Sequence, residues 1–165
     1  MYEKSIELLN KAVADELSAV HQYMYFHFHL DDQGYDLLSS IFKRIAIQEM
    51  GHVEVLAERI LFLKGEVKMV VGQAVEPILD VAKILEKARM MEEESAHAYN
   101  LWANECAANA DSASKKIFED LVAQEEGHFD IFDNEVDKVK AFGERYLALQ
   151  SIERSQRLAA GQSAE

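Results

Sequence analysis

Two short segments constrain this chain more than any other feature. Gln48-Glu49-Met50-Gly51-His52 and Gln124-Glu125-Glu126-Gly127-His128 agree at four of five positions and stand 76 residues apart. The same offset carries Glu16 onto Glu92, His21 onto His97 and Tyr23 onto Tyr99. The 165 residues therefore read as one structural unit used twice.

Each repeated acid interrupts an apolar stripe at helical spacing. Leu9, Val13, Glu16, Val20 and Tyr23 fall on one helix face, and Phe42, Ile45, Glu49, His52 and Leu56 on another. In the second half, Leu85, Ala88, Glu92, Ser95, Tyr99 and Trp102 share a face, as do Phe118, Leu121, Glu125, His128 and Phe132. The register selects Glu92 as the inward carboxylate and leaves Glu93 and Glu94 to solvent. The i, i+3 spacing of Glu49 with His52, and of Glu125 with His128, puts both members of each pair on the buried side.

Four carboxylates and two imidazoles thus converge in an otherwise apolar interior. Burying one unpaired charge costs several kcal/mol, and the carboxylates would also repel one another. Two divalent cations would balance four carboxylates, so the pattern predicts a two-metal site. One Glu-x-x-His on so acidic a chain would read as a solvated charge run. Two copies on matched seams, each with a matched lone glutamate, do not.

The rest of the chain fits a helical bundle. Seven Gly and one Pro leave a composition dominated by good helix formers. Apolar periodicity and punctuation predict helices over about 2–31, 36–64, 78–108 and 112–142, with a shorter one over about 144–156 and a frayed tail over 159–165. Asp31-Asp32-Gln33-Gly34 and Asn109-Ala110-Asp111 mark short turns, with Asp111 or Ser112 as a cap. Gly65 is the expected left-handed cap of the second helix, and Pro77 suits the start of the third. The stretch from Glu66 to Pro77 is long enough to return along the bundle, which would make the second and third helices parallel.

A net charge of -13 argues against nucleic acid as a partner and suits metal cations, although acidity also simply keeps a protein in solution. The one cysteine, Cys106, allows no intrachain disulfide and no Cys-x-x-Cys metal site. No apolar leader and no long apolar run occurs, so the expectation is a soluble, cytoplasmic protein without a membrane span.

These residues make the chain similar to bacterioferritins over nearly its whole length, with further likeness at Ala57–Gly65 and Gly143–Leu147. The resemblance implies an all-α, ferritin-like four-helix bundle with a long crossover between the second and third helices and a short fifth C-terminal helix. It implies that Glu16, Glu49, His52, Glu92, Glu125 and His128 hold two iron ions per subunit. Glu49 and Glu125 would bridge the irons, with Glu16 and His52 completing one and Glu92 and His128 the other. It gives Tyr23 a place beside the site as hydrogen-bond or electron donor, with Tyr99 as its counterpart. Met50 would be the axial ligand of a b-type haem shared by two subunits, a role the repeat does not require, since its counterpart is Glu126. A 24-subunit hollow shell follows by the same similarity.

Two features qualify the match. His128 sets the chain apart from haem-free ferritins of the animal type, which lack a histidine there. Arg44 and Gln48 stand where other members carry His and Asp as an extra iron site on the inner shell surface. His21, His27, His29 and His97 match no ligand position and read as ordinary packed or surface histidines.

The expected function is iron storage and detoxification, with Fe(II) oxidised by O2 or H2O2 and ferric mineral stored in a shell made of copies of the chain. An electron-donating ferredoxin would serve iron release. Rival expectations are a di-iron or di-manganese peroxidase or catalase of the rubrerythrin type, and a bundle that holds metal without catalysis. Missing rubredoxin cysteines count against a rubrerythrin.

Overall fold

A computed structural model describes residues 2–162, which form five helices and no strand. They are α1 (Glu3–Asp32), α2 (Asp36–Phe62), α3 (Val81–Ala108), α4 (Ser112–Phe142) and α5 (Glu144–Ala159). The first four make the bundle. α1 packs along α2, and α3 along α4, so each repeat is one antiparallel helix pair. No helix among the described residues is long and apolar enough to cross a membrane.

The turns within the two pairs are alike for a physical reason. Gly34 and Ala110, one repeat apart, both take positive φ and close the preceding helix with paired backbone bonds. Gly34 N–H donates to Asp31 O and Tyr35 N–H to Leu30 O, while Ala110 N–H donates to Ala107 O and Asp111 N–H to Cys106 O. Asp111 then caps α4, accepting from Ser114 N at 3.1 Å and from Arg59 Nη2 at 2.6 Å.

Three boundaries differ from the sequence expectation. α2 ends at Phe62, and the left-handed position after it falls on Lys64 (φ 63°), not on Gly65. Gly65 is needed for a different reason, since a Cβ there would stand 2.7 Å from Ile6 Cγ2 on α1. α3 begins at Val81, not Ile78, because the Asp80 side chain accepts from Lys83 N at 3.0 Å; Pro77 remains in the crossover. α5 runs to Ala159, past the expected 156, and closes at Gly161 (φ 73°). Of the tail expected to fray, residues 163–165 lie outside the described residues.

Polar residues four or eight apart on α1 pin the crossover to the bundle. Asn10 donates to Glu66 O at 3.0 Å and accepts from Lys68 N at 2.8 Å. Ser18 Oγ accepts from Gly72 N at 2.9 Å and Gln73 N at 3.0 Å. Gln22 accepts from Glu76 N at 2.8 Å and donates to Glu76 O at 3.0 Å. The segment therefore travels in the direction of α1, opposite to α2, and delivers α3 parallel to α2.

α5 covers the α1–α2 turn. Arg154 and Arg157 reach Asp36 at 3.1 and 3.0 Å, and buried Gln150 accepts from Leu38 N at 3.4 Å. The bundle interior holds two apolar clusters. Tyr23, Phe26, Phe42, Ile45, Leu85 and Phe132 belong to one, and Leu9, Val13, Leu56, Tyr99, Phe118 and Leu121 to the other. The four inward glutamates occupy positions between them on all four helices.

Candidate metal centre

The stripe positions of Glu16, Glu49, Glu92 and Glu125 leave each carboxylate at most 2% exposed, and His52 and His128 at most 5%. The six converge in two overlapping groups. Glu16, Glu49, His52 and Glu125 offer ligand atoms all within 4.8 Å of one another, and so do Glu49, Glu92, Glu125 and His128. Glu49 and Glu125 belong to both groups, so one oxygen of each can serve either position.

The short distances cannot all be hydrogen bonds. Nδ1 of His52 lies 2.8 Å from Glu49 Oε2, 3.0 Å from Glu125 Oε1 and 3.3 Å from Glu16 Oε2. Nδ1 of His128 lies 3.1 Å from Glu49 Oε1, 3.5 Å from Glu92 Oε2 and 3.9 Å from Glu125 Oε2. A ring nitrogen carries at most one hydrogen, and it cannot satisfy three oxygens. Glu49 Oε2, Glu92 Oε2 and Glu125 Oε1 are accordingly buried without a hydrogen-bond donor. Orphaned carboxylate oxygens facing imidazole nitrogens are a donor set for divalent cations of the iron, manganese or zinc type.

Protons balance the charge when metal does not. Burial pushes Glu16 and Glu92 well above the usual carboxylate range, and the charge on Glu49 adds to it. Burial opposes ionisation of Glu125 too, but the His128 and His52 rings beside it outweigh it and hold Glu125 at about 2; the same two rings lower Glu49. Burial works against both imidazolium ions, yet the facing carboxylates outweigh it. His128 is raised to about 12 by Glu125, Glu49 and Glu92, and His52 is raised by Glu125, Glu16 and Glu49. Two ionised glutamates and two imidazolium ions leave the centre neutral, as four glutamates and two divalent cations would.

The repeat is crossed at the tyrosines. Tyr23 on α1 donates to Glu92 Oε1 on α3, and Tyr99 on α3 donates to Glu16 Oε1 on α1 at 2.5 Å. Burial and the neighbouring carboxylates raise both phenols, so both remain hydrogen-bond donors. The surroundings of the two differ. Tyr23 sits among Phe42 and Phe132, with ring centroids 5.6 and 5.5 Å away, while Tyr99 sits 5.5 Å from Trp102 and 5.8 Å from Phe118.

A family model described as "Ferritin-like domain" matches residues 6–142. A bacterioferritin of Desulfovibrio desulfuricans is 40% identical over 151 residues, 88% of this chain and 81% of that one. The chain belongs to the bacterioferritin family. A Brucella melitensis bacterioferritin is 34% identical over 152 residues, 90% of this chain and 92% of the relative. An X-ray structure of the D. desulfuricans bacterioferritin, studied with its diiron site in different catalytic states, superposes with a TM-score of 0.88 at 37% identity, covering 90% of this chain and 86% of that chain.

In this bacterioferritin-family chain the other singled-out residues fall outside the centre. Met50 is 56% exposed on the outer face of α2, beside equally exposed Ile47. His21 and His97 are exposed, and the His27 ring nitrogen instead meets Ser39 at 2.9 Å. Sequence reasoning missed the outer partners of the metal-facing histidines. His52 Nε2 lies 3.0 Å from Gln124 Oε1, and His128 Nε2 lies 3.1 Å from Gln48 Oε1. The signal was available, because the two glutamines open the repeated pentapeptides.

Proposed function

We propose that the protein is an iron-storing ferroxidase, an oxidoreductase whose substrates are Fe(II) and either O2 or H2O2. The observation that carries this reading is the pair of overlapping four-ligand groups with two shared carboxylates at the buried centre of the bundle. Two Fe(II) ions held there would give up one electron each to the oxidant. Glu49 and Glu125 would be shared by both ions, Glu16 with His52 would complete one position, and Glu92 with His128 would complete the other.

The remaining residues set the conditions. The hydrogen bonds from Tyr23 and Tyr99 take one lone pair of Glu92 and of Glu16, leaving the other oxygen of each carboxylate toward the cation. Tyr23 is also close enough to supply an electron or a proton during turnover. The apolar clusters on either side exclude bulk water and strengthen every electrostatic contact inside. Ferric product then passes to a store inside a shell of about 24 copies, the number implied by family resemblance, with an electron-donating ferredoxin mobilising it. Met50 fits a haem bound between two copies, because its soft thioether stands exposed beside exposed Ile47; such a group would supply electron transfer.

Two measurements test the reading. Stopped-flow absorbance after anaerobically loaded Fe(II) meets O2 or H2O2 should show fast oxidation in the wild type and at least a tenfold loss in Glu125→Ala, in line with removing a shared ligand. Equal rates would defeat the assignment. Particle mass separates storage from the peroxidase or catalase alternative: a shell supports storage, whereas a dimer or tetramer would favour the enzyme of the rubrerythrin type.

A further inference from the structure

Each metal-facing histidine presents Nδ1 to the carboxylates and turns Nε2 outward, where its partner is a glutamine from the opposite helix. Gln48 on α2 meets His128 on α4 at 3.1 Å, and Gln124 on α4 meets His52 on α2 at 3.0 Å. We propose that Gln48 and Gln124 are positioning residues for metal binding, whose amide oxygens hold Nε2–H of the crossed histidines and so keep each Nδ1 turned toward its cation. The proposal rests on the two-metal reading of the centre.

An amide oxygen only accepts, so Nε2 must be the protonated nitrogen. In the neutral ring that takes a cation, the tautomer is thereby fixed with the lone pair on Nδ1, the atom that faces three carboxylate oxygens in each ring. The glutamine also stops the ring from turning about its own axis, which would withdraw Nδ1 from the donor set.

An exposed glutamine beside a histidine could be an incidental surface contact. Three facts argue otherwise. The two pairs are related by the repeat, their distances agree within 0.1 Å, and both are crossed from one helix pair to the other. Gln124 is also held from behind, its Nε2 donating to Asp120 O at 3.4 Å. Adjacent residues on a helix lie about 100° apart, so Glu49 and Glu125 can point inward while Gln48 and Gln124 sit at the rim over the rings. Both glutamines are exposed, which allows their replacement without disturbing the core.

The test uses the full chain in its native assembly and Co(II), which binds such ligands without oxidation and reports geometry through its visible absorption. Wild type, Gln48→Leu, Gln124→Leu, Gln48→Glu and Gln124→Glu are titrated anaerobically, with thermal melts of each metal-free variant as a folding control. The wild type should bind two Co(II) per chain. Each leucine variant should weaken one of the two by roughly 10- to 100-fold and alter its spectrum, while the other stays unchanged. Each glutamate variant, which keeps an acceptor, should recover affinity to within a few-fold of wild type. Leucine variants that titrate like wild type, or glutamate variants as weak as leucine, would overturn the positioning role while leaving the two-metal centre intact. A wild type that takes up no pair of Co(II) would overturn both.

Discussion

Comparing each residue with its counterpart 76 positions on separates what the centre needs from what was added to it. Glutamates, histidines, tyrosines and rim glutamines all recur, whereas Met50 is answered by Glu126. The repeat gives Met50 no part in the centre, and the proposed haem is what its exposed thioether would serve. Met50→Leu should abolish haem absorption in the purified assembly, and Glu125→Ala should retain it; reduced-minus-oxidised difference spectra read both. The candidate ligands were legible in the sequence because each breaks an apolar stripe whose register is fixed by its neighbours. The rim glutamines recur in the repeat, but an exposed polar side chain gives no sign of what it faces. Only the opposite helix, distant in sequence, gives Gln48 and Gln124 a partner.

Among the elements, helix types followed from periodicity, while the helix ends depended on local contacts that the periodicity does not contain. Pro77 looked like a start, but Asp80 offered an acceptor to Lys83 N and set the boundary. Gly65 looked like the left-handed residue, yet the chain places Lys64 there and needs Gly65 for its closeness to Ile6. These two positions give opposite outcomes. Lys64→Gly should stabilise the protein by about 0.5–1 kcal/mol, because a side chain in the left-handed region costs about 1–2 kcal/mol and glycine offsets only part of that in entropy. Gly65→Ala should destabilise it by about 1–3 kcal/mol through overpacking against α1. Chemical denaturation of the metal-free protein at fixed pH measures both. The crossover ladder on Asn10, Ser18 and Gln22 was likewise hidden, since its partners are backbone groups of an irregular segment.

For the molecule as a whole, protons and metal compete for one buried centre, and the direction of the competition is fixed. His128 is raised from its ordinary range to about 12, so the stability it lends the metal-free fold is complete below about pH 6.5 and drains away as pH rises. Glu16 and Glu92, raised by burial, act in the same direction. Glu125, lowered to about 2, lends stability above the usual carboxylate range that is lost in strong acid. The metal-free protein should therefore melt at progressively lower temperature from pH 6 to pH 9, and the Co(II)-loaded protein should not, as scanning calorimetry can establish. Loading should release about two protons per cation near neutral pH, because Glu16, Glu92 and both imidazolium ions must let theirs go. Titration calorimetry in buffers of different ionisation heat counts them.

The crossed arrangement of the centre has one more result. Each cation would take three ligands from one helix pair and at least one from the other, so neither hairpin alone can complete a coordination shell. α2 and α4 touch little elsewhere compared with the long contacts inside each pair. The cargo would then also fasten the two halves together, and loss of iron should loosen the molecule along the seam between them.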